Sequence, residues 1–177
     1  MKNQNIKFKK GDLLKAFDNK EVDCIAHQCN TFLISSDCGG IAGKIFEKFD
    51  NVANINTTEV LNNRKNNCSY SLLGKVSGFD NVFNIYSQYR TGNPTTGIDS
   101  MECRLSYLKE GLTTVANYII AGNMKTLGLP LIASGLAKQS KAEYYKMSDL
   151  EYFKKFILPT VKEVFKDYDI QITIMYL

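Results

Sequence analysis

Histidine is almost missing from this 177-residue chain, which holds one (His27), and five cysteines are the only other soft metal ligands. Cys24, Cys29 and Cys38 lack the paired C-x-x-C spacing of a zinc site, and one imidazole cannot complete such a set, so no metal centre is expected. An odd cysteine count in a mid-sized chain reads as reduced thiols, with Cys24 packed in the core as a small apolar residue. No apolar run approaches the roughly 20 residues that cross a bilayer. Met1 to Lys10 is polar and basic with no apolar centre, so it is not a secretory signal, and a cytoplasmic location is expected. Internal repeats, low-complexity tracts and long linkers are also missing, which leaves one domain spanning 1–177. There is no P-loop, no fingerprint of spaced glycines, no serine–histidine–acid arrangement and no carboxylate pair at helical spacing near the candidate site.

What remains is an ordinary globular composition, 44% hydrophobic and 23% charged, with a net charge of +4. The basic residues are spread along the chain apart from Lys7, Lys9 and Lys10, a solvated surface run rather than a nucleic-acid patch. The charge mildly favours an anionic small molecule.

Short apolar runs of strand length occur at Val22–Ala26, Phe83–Tyr86, Gly128–Ile132 and Ile170–Leu177, with weaker candidates at Ile6–Phe8 and Leu72–Val76. Helical periodicity is seen from Ile41 to Phe49, from Met101 to Ile119 and from about Ser148 to Lys166, where Pro159 should kink or break the helix. Thr57–Ser71, rich in asparagine, and Thr91–Ser100, rich in Gly, Pro and Thr, read as surface connections. Strands alternating with helices predict a layered α/β domain, whose ligands bind beyond the carboxyl ends of the strands.

The loops after Ala26, Tyr86 and Ile132 are therefore where a ligand is expected. His27-Gln28-Cys29-Asn30 follows the first of these strands, and Cys38-Gly39-Gly40-Ile41-Ala42-Gly43 leads into a helix. Glycines there let backbone N–H groups approach an anion at the helix's positive end. After Ile132, Ala133-Ser134-Gly135-Leu136-Ala137 offers a hydroxyl and further backbone amides. Two such loops suit a pyrophosphate gripped from both sides, although each alone also fits a plain turn. Asp12, after the first strand, is an acceptor for an exocyclic amine or a cap for the segment starting at Leu13. His27 stands where a ligand would enter, or is a satisfied structural histidine.

In this order and spacing the motifs resemble the macro domain family, from the first strand to Leu177. The resemblance implies a three-layer α/β/α domain with a central mixed sheet, and a pocket for ADP-ribose that needs no cofactor. Gly11-Asp12 and Leu13 resemble the adenine-binding segment, with Tyr176 in the last strand lining the same pocket. Asn30 resembles the asparagine that contacts the distal ribose. Gly39, Gly40, Ile41 and Ala42 resemble the first phosphate loop; Ala133, Ser134, Gly135, Leu136 and Ala137 resemble the second. The combination is most similar to the ADP-ribose-1''-phosphate phosphatase branch, which also holds the terminal ADP-ribose protein glycohydrolase and short bacterial and phage proteins.

The chain departs from the family's other catalytic patterns. Gln88 stands where the glycohydrolases carry a lysine, Ala137 where they carry an aspartate, and Ala42 where a deacylase group carries an aspartate. Neither a nucleophilic amine nor a carboxylate base is available at those places. The loop Thr31–Cys38 is also a little longer than usual. The resemblance thus implies phosphate-monoester hydrolysis of ADP-ribose-1''-phosphate, with His27 and Asn30 as the catalytic residues. The competing expectations are a non-catalytic ADP-ribose binding module and, less favoured, a hydrolase acting on ADP-ribosylated protein or nucleic acid. A monomer with a small-molecule ligand, away from membranes, is expected.

Overall fold

The computed structural model describes residues 6–67, 70–139 and 141–177. Cys68 and the first five residues lie outside them, so the expectations for that thiol and that leader are not addressed. Among the described residues the chain alternates strands and helices: β1 (Ile6–Lys10), α1 (Leu13–Asp18), β2 (Cys24–Asn30), α2 (Gly40–Lys48), α3 (Asp50–Lys65), β3 (Val76–Phe79) and β4 (Val82–Gln88). Then come α4 (Met101–Ala121), β5 (Thr126–Leu129), α5 (Ala142–Tyr145), α6 (Asp149–Tyr152), α7 (Leu158–Phe165) and β6 (Gln171–Tyr176).

The six strands form one sheet in the order β1-β6-β5-β2-β4-β3. All neighbours are parallel except β3 and β4, which are antiparallel, so the sheet is mixed. Parallel strands are covered on both faces, and their sequences read as continuous apolar runs. One face carries Ala26, Ile85, Leu127, Leu129, Ile172 and Ile174 against Leu108, Leu112, Val115 and Ile119 of α4 and Val161 and Val164 of α7. The other carries Ile25, Cys29, Val82 and Tyr86 against Leu13 and Ala16 of α1, Ile45 and Phe46 of α2 and Val52 and Val60 of α3. This is the expected three-layer α/β/α arrangement.

Several boundaries differ from the sequence reading. The segment read as a loop from Thr57 is helical to Lys65, because α3 buries Val52, Asn56, Val60 and Asn63 in a helical stripe, half of it asparagine. Leu72–Lys75 is a turn, and the strand begins at Val76. β5 stops at Leu129, before Pro130, which has no N–H to continue the ladder. Pro159 does not break its helix: a π-helical stretch, Phe153–Ile157, precedes it and Pro159 falls in the first turn of α7, where no donor is needed. β2 runs on to Asn30, so His27 to Asn30 are strand residues rather than a loop.

Candidate ligand cleft

Five strands end on one side of the sheet, and there a cleft of about 790 Å³ opens. Its volume is in the range of small-molecule and cofactor sites. The strand ends supply the floor: Gly11 and Asp12 after β1, Gln28 to Asn30 of β2, Gln88 of β4, Pro130 to Ala133 after β5, and Met175 to Leu177 of β6. Asn30 and Asp12 belong to strands three places apart, so at about 4.8 Å per strand roughly 14 Å of floor separates them.

At the β1 end, the Asp12 Oδ1 accepts the backbone N–H of Leu14 at 2.8 Å and of Lys15 at 3.1 Å. These amides, that of Lys15 foremost, hold its carboxyl below the usual range. Asp12 caps α1, and it also lines the cleft, beside Leu13 and Tyr176.

Across the middle, Gly39, Gly40, Ile41 and Ala42 line one wall, where α2 starts. Gly40 has φ +61°, a left-handed conformation that glycine adopts without cost. No side chain caps α2, and nothing lies within 4 Å of where a Cβ at Gly39 or Gly40 would sit. The first-turn amides are therefore approachable, as an anion requires. Ala133, Gly135, Leu136 and Ala137 also line the cleft. Ala133 is held at φ +60° and Leu136 is 84% exposed.

At the β2–β4 end, the Asn30 Oδ1 accepts the N–H of Phe32 at 2.9 Å and of Leu33 at 2.8 Å, which turns the chain into the long loop. Gln88, Ala137 and Ala42, the positions at which the resemblance implies a departure from the family's catalytic residues, all line the cleft.

Two expected residues do not reach the cleft. His27 is fully buried inside the α1–α3 face rather than at the mouth. Its side chain follows strand alternation inward, packing edge-on to Phe46 with ring centroids 5.3 Å apart. Burial, partly offset by its hydrogen bond to Asn84, pushes its pKa down to about 4. The ring is neutral near pH 7 and does not itself line the cleft, although Cys29, whose thiol lies 3.9 Å from its Nδ1, does. Ser134 is likewise fully buried, and its Oγ donates to the Ile132 carbonyl at 3.2 Å. Its hydroxyl is turned away from any anion.

The sequence reading missed Lys44, among the described residues the one cationic side chain lining the cleft, a turn beyond Gly40 on α2. That i+4 spacing from the glycine pair was its available signal. Cys29 and Cys38 also line the cleft, but burial holds both thiols up, Cys38 to about 11, so neither is a ready nucleophile. Asp149 lines it too and pairs with Lys138 at 2.6 Å. Among the described residues no group of three or more His, Cys, Asp or Glu gathers to hold a metal ion.

No family model and no curated protein sequence matches the chain. Solved structures do. The macrodomain of Mycobacterium tuberculosis DarG aligns over 99% of both chains at 15% identity with a TM-score of 0.65. The macrodomain of Thermus aquaticus DarG aligns over 97% of both at 16% identity and 0.62. The fold is that of a macrodomain. Thermosipho africanus DarTG, solved in complex with ADP-ribose, aligns over 98% of this chain and 42% of its own at 13% identity and 0.63. The cleft described above therefore occupies the strand-end face of a macrodomain sheet. Among the described residues no helix is long and apolar enough to cross a membrane.

Proposed function

We propose that this chain binds ADP-ribose in the cleft, with recognition rather than turnover as its task. The observation that carries the reading is the uncapped, glycine-led start of α2 standing in the same cleft as the Ala133–Ala137 loop. Backbone amides and the helix's positive end suit a pyrophosphate. Asp12, capping α1 through Oδ1, keeps its second oxygen for an exocyclic amine, with Leu13 and Tyr176 flanking the base. Asn30, its Oδ1 taken by the loop, offers its amide nitrogen to the distal ribose.

Hydrolysis of ADP-ribose-1''-phosphate was expected to run through His27. A general acid must come within hydrogen-bond reach of the leaving oxygen, and this imidazole is fully buried and does not line the cleft. The carboxylates of the cleft, Asp12 and Asp149, are engaged in a helix cap and an ion pair. Those two facts support binding without catalysis.

The test is calorimetric titration of ADP-ribose into the protein, with phosphate release from ADP-ribose-1''-phosphate followed on the same sample. Binding at micromolar or lower Kd without release is expected. Absence of binding at millimolar ADP-ribose would overturn the reading. Phosphate release that survives in His27→Ala would make the protein an enzyme by a different route.

A further inference from the structure

Three stretches outside the strands and long helices contribute to the cleft's walls: Thr91 and Gly92 after β4, Pro130 to Ala137 with Ser134 excepted, and Ser148 to Leu150. Such segments keep a shape only if their backbone groups are tied down. The ties converge on Arg104, in the first turn of α4, which is 3% exposed.

Its guanidinium forks onto Asp99, Nε to Oδ1 at 2.8 Å and Nη2 to Oδ2 at 2.7 Å. The remaining donors reach backbone carbonyls: Nη1 to Gly92 at 2.7 Å, and Nη2 to Arg90 at 3.1 Å and Asn93 at 3.2 Å. Asp99 in turn accepts the N–H of Tyr89 at 3.0 Å. The rigid, multi-donor fork of arginine is suited to this; a lysine ammonium is not.

The network continues past the loop. Asn93 Nδ2 donates to the Lys138 carbonyl at 2.6 Å, directly after the Ala133–Ala137 loop. Lys138 Nζ donates to the Met147 carbonyl at 3.0 Å and pairs with Asp149, beside the third wall segment. Asp99, Arg104, Asn93, Lys138 and Asp149 thus form one hydrogen-bonded chain touching all three walls.

We propose that Arg104 and Asn93 are positioning residues: through them the wall at Thr91 and Gly92 and the Ala133–Ala137 loop behave as one unit, selecting ligands long enough to meet both. The ligand half of this claim rests on the ADP-ribose reading above; the mechanical half does not. Amide hydrogen exchange on the full-length protein tests the mechanics. In Asn93→Ala and in Arg104→Lys, exchange at 134–138 is expected to rise together with that at 90–93, while α4 beyond its first turn is unchanged. The double variant should add little to either single change. Unchanged exchange at 134–138 in Asn93→Ala overturns the coupling, whether or not Arg104→Lys folds.

Calorimetry then tests selectivity. Asn93→Ala should weaken ADP-ribose about five-fold and AMP less than two-fold, a separation that general loosening does not give. Equal losses for both ligands would reduce the pair to a structural role. A wild-type protein that binds neither would refute the ADP-ribose reading while the exchange data still decide the coupling.

Discussion

His27 and Asn84 face one another in the β2–β4 pairing, with the imidazole Nε2 2.7 Å from the amide Oδ1. Asn84 spends its Nδ2 on the Ser77 hydroxyl at 3.2 Å, so its oxygen must accept and the imidazole must donate from Nε2. Nδ1 lies 3.9 Å from the Cys29 thiol, and the Gln28 backbone also hydrogen-bonds the imidazole. This is a buried, neutral and nearly satisfied histidine, which is why it belongs to the fold rather than to the chemistry.

Its titration gives the first prediction. Burial lowers the folded pKa to about 4, below an ordinary value of 6.5, so the unfolded chain takes up the proton first on acidification. Stability is complete above pH 6.5 and falls as the pH drops from there toward 4, by on the order of 3 kcal/mol. As the only histidine, His27 dominates the upper part of that window, and below about pH 5 the carboxylates whose pKa values folding lowers add a slope of the same sign. Urea unfolding at pH 7.5, 5.5 and 4.5 should show this slope in the wild type and a flatter profile in His27→Gln. Identical profiles would remove the linkage.

Asp12 caps α1 and lines the cleft, and the cap separates from the proposed ligand contact by substitution. Asp12→Ala loses the cap and should cost about 1 kcal/mol, whereas Asp12→Asn retains it. Both should weaken ADP-ribose. Thermal unfolding with calorimetry on the pair checks this; undiminished affinity in Asp12→Asn would leave Asp12 as a cap alone.

Ala133 is an alanine in left-handed backbone at the cleft wall. That conformation costs a non-glycine residue about 1 kcal/mol, close to what glycine gives back in unfolded-state entropy. Ala133→Gly should therefore leave the Tm nearly unchanged, while β-branched Ala133→Val should lower stability by about 1–2 kcal/mol. Equal stability of the alanine and valine forms would contradict the strain.

Gly111 marks where α4 crosses β4. A Cβ there would stand 2.3 Å from Ile85 Cγ2. Alanine would ordinarily favour a helix by about 1 kcal/mol, but overpacking of about 1–3 kcal/mol should win, making Gly111→Ala destabilising. Adding Ile85→Ala should cost less in that background than in the wild type. Additive losses in the four-protein cycle would show that the two sites do not touch.

Much of this was legible in the chain itself. The α4 periodicity from Met101 and the Gly39–Gly40 turn sit where the pattern indicates, because burial and left-handed backbone each leave a local signature. The misreadings share a different origin. His27 and Ser134 are polar residues that tertiary pairing hides, one opposite Asn84 and one on its own chain's carbonyl. In α3, Asn63 occupies an inward position inside the stretch that apolar counting assigns to a surface loop, and Asn56 another just before it. Arg104 and Lys138 were invisible for the same reason: their partners lie on other segments, brought close only by the sheet.

The strand order has a consequence for how the chain is made. β6 emerges from the ribosome after every other strand, yet its place is between β1 and β5. Until it arrives, β1 has no partner in the sheet and must wait through synthesis of the helices and strands between. The β1 end of the cleft, shared by Asp12 and Tyr176, is therefore completed last, and nascent chains halted before β6 would carry the two glycine-bearing loops but only half of the floor beneath them.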